Sequence, residues 1–413
     1  MPLANPQTFA PQPGPAAAGP LLIDDAQTCE FLLHRDAYTS ATLFEREMQA
    51  FFRSSWVYLA HESQIPQAND FLTERIGVTP VIVLRDEDGQ LRALINRCAH
   101  RGALVCRARS GNAKGFTCMF HAWTYTNTGR LTGVPDRAGY PPSFDLAERS
   151  LRAVAKLESY RGLIFASLNP DAPSLESHLG KARRYLDFIL DKYPAGLQFA
   201  SGATHYSVGA NWKLQMENSL DFYHVPFVHK SFFDVLRRNG IETGKSTAHE
   251  MRSDFAFYLG NGHGTVVLDE HGERFQHLML FPNLVILENP APQFRVIRPI
   301  AVDRTEVTGY AYFATASDPA QRAAKLRRYE KFYGPMGLGT PDDAEAFHAC
   351  QAGLRAEGCA PWVDLSRGLG RANLDVSDPL GPYEDSGNIT DDTVYRGLYR
   401  HWNQKIVHDF RSG

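Results

Sequence analysis

Apolar positions recur at helical spacing from Ser40 to Trp56, where Leu43, Met48, Phe51 and Phe52 share a side and Ser40 supplies an N-cap. The pattern then changes to short strand-like runs. Trp56–Ala60, Pro80–Arg85 and Leu91–Asn96 are apolar, and the last two flank Asp86-Glu87-Asp88-Gly89, which predicts a hairpin. A second amphipathic helix is predicted from Pro173 to Tyr193, with Leu175, Leu179, Ala182, Leu186, Ile189 and Leu190 on one face. Further on, Leu278–Leu287, Gln293–Ile300 and Glu306–Ala316 read as strands of an antiparallel sheet, the last two joined through Ala301-Val302-Asp303-Arg304. Asp318 and Pro319 then open a helix that runs to about Tyr333. The predicted class is α+β: a tail over 1–25, an all-β domain with its leading helix over 40–168, and a domain over 169–413 in which helices flank, or grip, an antiparallel sheet.

Composition narrows this picture little. A chain of 413 residues with 43% apolar content can bury a large core. A net charge of −3 gives no pull toward nucleic acid or membrane, and no apolar run is long enough to span a bilayer. The Pro- and Ala-rich start lacks the charge and apolar core of a signal peptide and reads as a disordered tail. Six cysteines make no disulfide framework; Cys29, Cys106, Cys350 and Cys359 are expected as buried free thiols of a cytoplasmic protein. Between Leu91 and Pro135 stand seven basic residues (Arg92, Arg97, Arg101, Arg107, Arg109, Lys114, Arg130) and no acid. That is a solvated surface, or a docking face for an acidic redox partner or a neighbouring subunit.

The chemistry begins at Cys98-Ala99-His100 and, seventeen residues later, Cys118-Met119-Phe120-His121. Each limb offers one thiol and one imidazole, whereas structural zinc sites more often pair like with like. A Rieske [2Fe–2S] cluster needs two thiolates on one iron and two imidazoles on the other, which two mixed limbs supply. A mixed-ligand zinc site is the alternative. The second stretch runs from Asn211-Trp212-Lys213 to His229. Asp221 and His224 would share a face if helical, and Pro226 should end or bend that helix so that His229 turns back toward His224. Such a pair suits a 2-His-1-carboxylate iron with positions open for dioxygen, though two histidines five apart are by themselves more often structural.

These segments resemble the large (α) subunits of Rieske non-haem iron ring-hydroxylating oxygenases: His100-Arg101-Gly102, His121-Ala122-Trp123, Asn211-Trp212-Lys213, Glu217-Asn218 and Asp221-Phe222-Tyr223-His224 stand as in that family. Phe120 departs from it, standing where the family usually has Tyr. The resemblance implies that Cys98, His100, Cys118 and His121 hold the cluster, that His224 and His229 bind Fe(II), and that Asn218 lines the same site. It also implies that Asp221 bridges to a cluster histidine of an adjacent subunit, in a homotrimer or an α3β3 assembly with a small β subunit. The third ligand falls in Gly334–Asp343, where Thr340 is the expected N-cap and Pro341 the first helical residue. Asp343 shares a face with Phe347, Cys350 and Leu354, so it is chosen as the ligand and Asp342 is left as a capping acid favoured by the helix dipole.

No dinucleotide fingerprint follows a strand, so NAD(P)H would be oxidised by a separate reductase, directly or through a ferredoxin. Phe294–Pro299, Thr340–Gln351 and Trp362–Gly368 resemble the benzoate, toluate and anthranilate branch, which implies an aromatic carboxylic acid dihydroxylated with O2 to a cis-diol or catechol. Arg295 and Arg298 are expected on one side of a strand that faces either solvent or the pocket, where Arg295 would be the carboxylate clamp. The Gly260–Gly264 stretch is a turn or a flap. Two readings stay open beside this one: an electron-transfer or zinc protein without its own reaction, and a Rieske monooxygenase or demethylase acting on a non-aromatic or amine substrate.

Overall fold

The computed structural model describes residues 19–241, 251, 254–270, 272–371 and 380–408. Four antiparallel sheets precede or frame the large one. Leu91–Ile95, Thr79–Arg85, Asp70–Ile76 and Ser110–Asn112 pair in that order, and the predicted hairpin is present with Arg85 opposite Leu91. Gly115–Thr117, Thr124–Thr126 and Leu131–Gly133 form a second, small sheet. Between these two sheets lies a core containing Phe71, Ile82, Leu94, Cys98, Cys118, Trp123 and Tyr125. The third sheet, Lys156–Tyr160, Leu163–Ser167 and Val57–His61, turns its side chains elsewhere. Trp56, Tyr58, Leu163 and Phe165 pack with Leu186, Ile189, Phe294 and Tyr312, so the all-β domain and the following domain share a core.

The large sheet has nine antiparallel strands. From Leu197–Phe199 at one edge it passes through Arg304–Ala314, Gln293–Ala301, Leu284–Leu287, Glu273–Leu280, His263–Glu270 and Phe255–Gly260 to Asp385–Asn388; Thr204–Val208 also pairs with Arg304–Ala314. Strand alternation gives the sheet two different apolar faces. Phe294 and Val296 point toward the helix Ala182–Asp191 and the all-β domain. Ile297 points the other way, into a core with Trp212, Met216, Tyr329, Tyr333 and Trp402 from the helices Trp212–Asn218, Pro319–Tyr333 and Thr393–Asn403.

Several expectations change in detail. Ser40 caps as expected, accepting from the Leu43 N–H at 3.3 Å, but the helix Ala41–Glu47 widens to π form over Met48–Arg53. The single helix over Pro173–Tyr193 is two, Leu175–Leu179 and Ala182–Asp191, divided at Gly180 with φ +48° and ψ −125°, a conformation essentially restricted to glycine. The run Leu278–Leu287 folds back on itself: Leu280 pairs with Leu284 across Phe281-Pro282-Asn283, a reversal hidden because both strands are apolar throughout. The predicted helix Pro319–Tyr333 is present, with the Asp318 side chain accepting from the Gln321 N–H at 2.8 Å. Of the tail, residues 1–18 lie outside the described residues, while Leu22–Asp25 is a strand paired with Glu30–His34, which pairs in turn with Trp362–Asp364. Cys106 is buried, but Cys29, Cys350 and Cys359 are exposed. Among the described residues no helix is long and apolar enough to cross a membrane.

Candidate metal centres

The two Cys–His limbs are built on the same backbone plan. In the first, the Gly102 N–H bonds the Cys98 carbonyl (3.0 Å) and the Cys98 N–H bonds the Ala103 carbonyl (2.8 Å); in the second, Ala122 and Trp123 repeat this around Cys118 at 2.9 and 2.8 Å. Each turn closes through a left-handed residue, Gly102 at φ +77° and Ala122 at φ +56°, the latter an uncommon setting for a side chain with a Cβ. Cys98 and Cys118 are buried, and the His100 and His121 rings stand 4.5 Å apart with both Nδ1 atoms buried and unpartnered. Two buried imidazole nitrogens without partners, on the same two turns as two buried thiols, form a donor set that fits a bound metal group. Trp123 stacks on His100 (5.0 Å, 9°), and the Tyr125 hydroxyl lies 3.3 Å from Cys98 Sγ. Met119 and Phe120 are exposed at the tip of this lobe, with Arg101 5.9 Å from the Phe120 ring.

The second centre gathers three elements. Helix Trp212–Asn218 is capped by Asn211, whose side chain accepts the Lys213 N–H at 3.1 Å; its last residue is Asn218. Asp221 and His224 are therefore not on one helix. Asp221 Oδ1 instead takes the N–H groups of Tyr223 (2.7 Å) and His224 (3.2 Å), the local competition by which Asp favours turns. Pro226 opens the next helix, Val225–Val228, where its missing N–H costs nothing, and His229 follows at the helix end. The third element, Thr340–Gly353, begins one residue earlier than expected, with Gly339 at the cap position. Its inward stripe is Asp343, Phe347 and Gln351; Cys350, expected there, faces out, while Gln351 is buried on the Asn211 N–H and the Tyr38 carbonyl.

These elements bring His224, His229 and Asp343 together, with one ligand-type atom from each lying within 4.8 Å of the others. Asp343 Oδ1 is 3.4 Å from His224 Nε2 and 3.2 Å from His229 Nε2, and Asn218 Nδ2 donates to Asp343 Oδ1 at 3.1 Å. On their outer sides His224 Nδ1 lies 3.4 Å from Asp221 and His229 Nδ1 lies 3.7 Å from Asp342. Both imidazoles thus present Nε2 inward and face a carboxylate behind, the usual support of a metal-bound histidine. Sequence reasoning left Asp342 as a capping acid; its neighbour His229 comes from another helix and gives no local signal. Burial pulls the His224 proton affinity down, but Asp221 and Asp343 outweigh it and raise the pKa to about 9. Burial opposes ionisation of Asp343, yet hydrogen bonds from His224 and His229 hold it well below the usual carboxylate range. The donor set, two imidazoles and one ionised carboxylate, fits a mononuclear non-haem iron.

Arg295 and Arg298 do not share a side. They are three apart on a strand of period two, so Arg298 reaches Glu74 (3.0 Å) on the all-β domain while Arg295 points into the helix-covered face. Arg295 is buried, donating to Gln293 Oε1 and Ser219 Oγ at 3.0 Å each and lying 5.4 Å from the Tyr333 ring. Among the described residues it has no carboxylate partner. Ser219 adjoins Asn218, the donor to Asp343, so the cation and the three-residue centre are linked through these two neighbouring residues. The Gly260–Gly264 stretch is a packed turn and not a flap: His263 is fully buried and Asn261 Nδ2 donates to the Ser177 and His178 carbonyls. A groove of about 1040 Å³ lies elsewhere, between Arg107 and Arg109 of the all-β domain and the sheet edge at His205 and Thr308. Of the seven basic residues, Arg92 pairs with Asp86 and Lys114 with Glu87, both at 2.6 Å.

Residues 55–157 match the Rieske [2Fe-2S] domain, and residues 199–407 match the ring hydroxylating alpha subunit (catalytic domain). The chain is 36% identical to the toluate 1,2-dioxygenase alpha subunit of Pseudomonas putida, over 94% of this chain and 93% of that one. It is also 35% identical to the 2-halobenzoate 1,2-dioxygenase large subunit of Burkholderia cepacia (95% and 94%). The anthranilate 1,2-dioxygenase large subunit of Acinetobacter baylyi matches at 36% (91% and 90%). Among solved structures, naphthalene 1,2-dioxygenase from Rhodococcus sp. superposes with a TM-score of 0.81 at 28% identity, covering 91% of this chain and 94% of that one. The cofactors are thus a Rieske cluster and a mononuclear iron, with electrons supplied through a separate reductase. A [2Fe–2S] lobe joined through a shared core to a sheet carrying a second metal centre places this chain among the alpha subunits of the Rieske ring-hydroxylating dioxygenases.

Proposed function

We propose that this chain dihydroxylates an aromatic carboxylic acid of the benzoate or anthranilate type, yielding a cis-diol, or a catechol when a ring substituent leaves. The observation that carries the reading is Arg295: a buried guanidinium that has no acid partner among the described residues and is bonded to Ser219, next to Asn218 of the metal centre, attracts a carboxylate and repels an ammonium. That charge argues against the amine-demethylase alternative, and the acid substrates named for the relatives agree with it.

In this reading Cys98, His100, Cys118 and His121 hold the cluster, and His224, His229 and Asp343 hold the iron. When bound, the two groups supply one-electron delivery and dioxygen activation. The protein's own part is positional. Asn218 orients Asp343 by its 3.1 Å hydrogen bond, Asp221 and Asp342 stand behind the two imidazoles, and Arg295, itself held by Ser219 Oγ, fixes the substrate carboxylate. Asp221 is half-buried, which leaves an oxygen for a cluster histidine of an adjacent subunit in a homotrimer or an α3β3 assembly. Arg107 and Arg109 beside the groove, which make no ion pair among the described residues, suit an acidic electron donor. A cytoplasmic setting and a domain boundary near 168 complete the proposal. Replacing Arg295 with Gln should raise KM for a carboxylated arene about 10- to 100-fold, the size of a lost charge-assisted contact, and leave its neutral analogue nearly unchanged. Equal effects on both substrates would remove Arg295 from the pocket and with it the support for an acid substrate.

A further inference from the structure

The six residues Ser219–His224 join two helices without regular structure of their own, yet they end on a proposed iron ligand and contain the proposed intersubunit carboxylate. The inner half of this turn is tied down: the Ser219 carbonyl faces His277 Nδ1 at 3.3 Å, and the Phe222 ring lies against His277 at 5.2 Å. Before His224, the outer part of the turn is held mainly by local bonds. Asp221 Oδ1 is occupied by the N–H groups of Tyr223 and His224, and Tyr223 is 42% exposed. Among the described residues, the hydrogen bonds and ring contacts of Tyr223 stay within 221–227, with one exception: the Arg367 guanidinium sits 3.7 Å from its ring centroid.

Arg367 is itself rigidly mounted. Its Nε donates to the Thr390 carbonyl (2.7 Å), its N–H to Asp392 Oδ2 (3.1 Å), and its carbonyl accepts from Arg396 Nη1 (2.7 Å) and the Asp392 N–H (3.0 Å). The next residue, Gly368 at φ +97°, presses so closely on Asp391 that a Cβ would lie 2.6 Å from the carboxylate carbon. The guanidinium over the Tyr223 ring is thus held from a fixed backbone, with its Nε bonded as well.

We propose that Arg367 is a positioning residue for the metal centre: by clamping Tyr223 it holds the Asp221–His224 turn, and so sets the place of His224. The inference rests on the reading of His224 as an iron ligand. Outer-shell partners of metal ligands contribute about 10- to 100-fold to metal affinity.

The test is Fe(II) titration of protein depleted of mononuclear iron but retaining its cluster, with amide exchange read over 221–224. R367Q and Y223S should each weaken Fe(II) binding about 10- to 100-fold and speed exchange in the turn. The double variant should be no weaker than either single one, and Y223F should stay close to the parent because the ring face remains. Cluster circular dichroism should be unaltered throughout. Wild-type affinity in R367Q, or losses that multiply in the double variant, would overturn the clamp. Because Tyr223 is exposed, Y223S decides the matter even if R367Q folds poorly. Retained Fe(II) binding in D343A would instead refute the metal-centre reading itself.

Discussion

At the scale of single residues, the informative contrast is between neighbours. Asp342 and Asp343 both sit in the first turn of one helix, but only Asp343 lies on its buried stripe and between two imidazoles. Asp343→Ala should abolish mononuclear iron while leaving the Rieske absorbance intact. Asp342→Ala should weaken iron binding about tenfold through His229, and metal analysis of both variants checks the pair. The same geometry sets a pH dependence. His224 carries a proton up to a pKa of about 9 when no metal is bound, and a ligand must be deprotonated to coordinate. Metal affinity should therefore tighten with each step from pH 6.5 to 8.5, measured with Co(II) as a stable surrogate; a flat profile would contradict the assignment. Of these proposed roles, those of the thiol and imidazole limbs and of Asp343 can be read from the chain, because each depends on local spacing or helical phase. Asp342 behind His229 and Arg367 over Tyr223 were not, since both partners come from distant segments.

At the scale of elements, the departures from expectation share a cause. A continuous apolar pattern hides a reversal or a break when both sides of it are buried. Gly180 is the clearest case, dividing one expected helix into two that both pack inward. Gly180→Ala should lower stability by about 1–3 kcal/mol, because φ +48° with ψ −125° is strained for any residue that carries a Cβ. A melting temperature within error of the parent would show that the backbone relaxes there. The error over Arg295 and Arg298 was of another kind: period two places residues three apart on opposite faces, and one of them consequently reaches a different domain.

At the scale of the whole molecule, the two lobes are fastened together. Asn283, in the reversal between two strands of the large sheet, accepts from the Tyr58 N–H (3.0 Å) and donates to its carbonyl (2.9 Å). Arg298 bonds Glu74, and both side chains are largely buried. Glu74→Ala would leave Arg298 uncompensated and should cost about 3–5 kcal/mol in denaturant unfolding, whereas replacing both partners with apolar residues should recover most of it. Equal losses in the single and double variants would show that the pair is not the fastening. Taken alone, the sequence determined which chemistry the protein carries. Ligand identity and spacing are local properties, and so are strand and helix periods, caps and turns. The tertiary structure alone decided that Asp342 stands behind His229, that Arg295 is a buried cation with no acid partner among the described residues, and that the lobes share one core. Those outcomes depend on contacts between residues far apart in the chain, such as His229 with Asp342 and Arg295 with Ser219, and the local sequence at neither end records its partner.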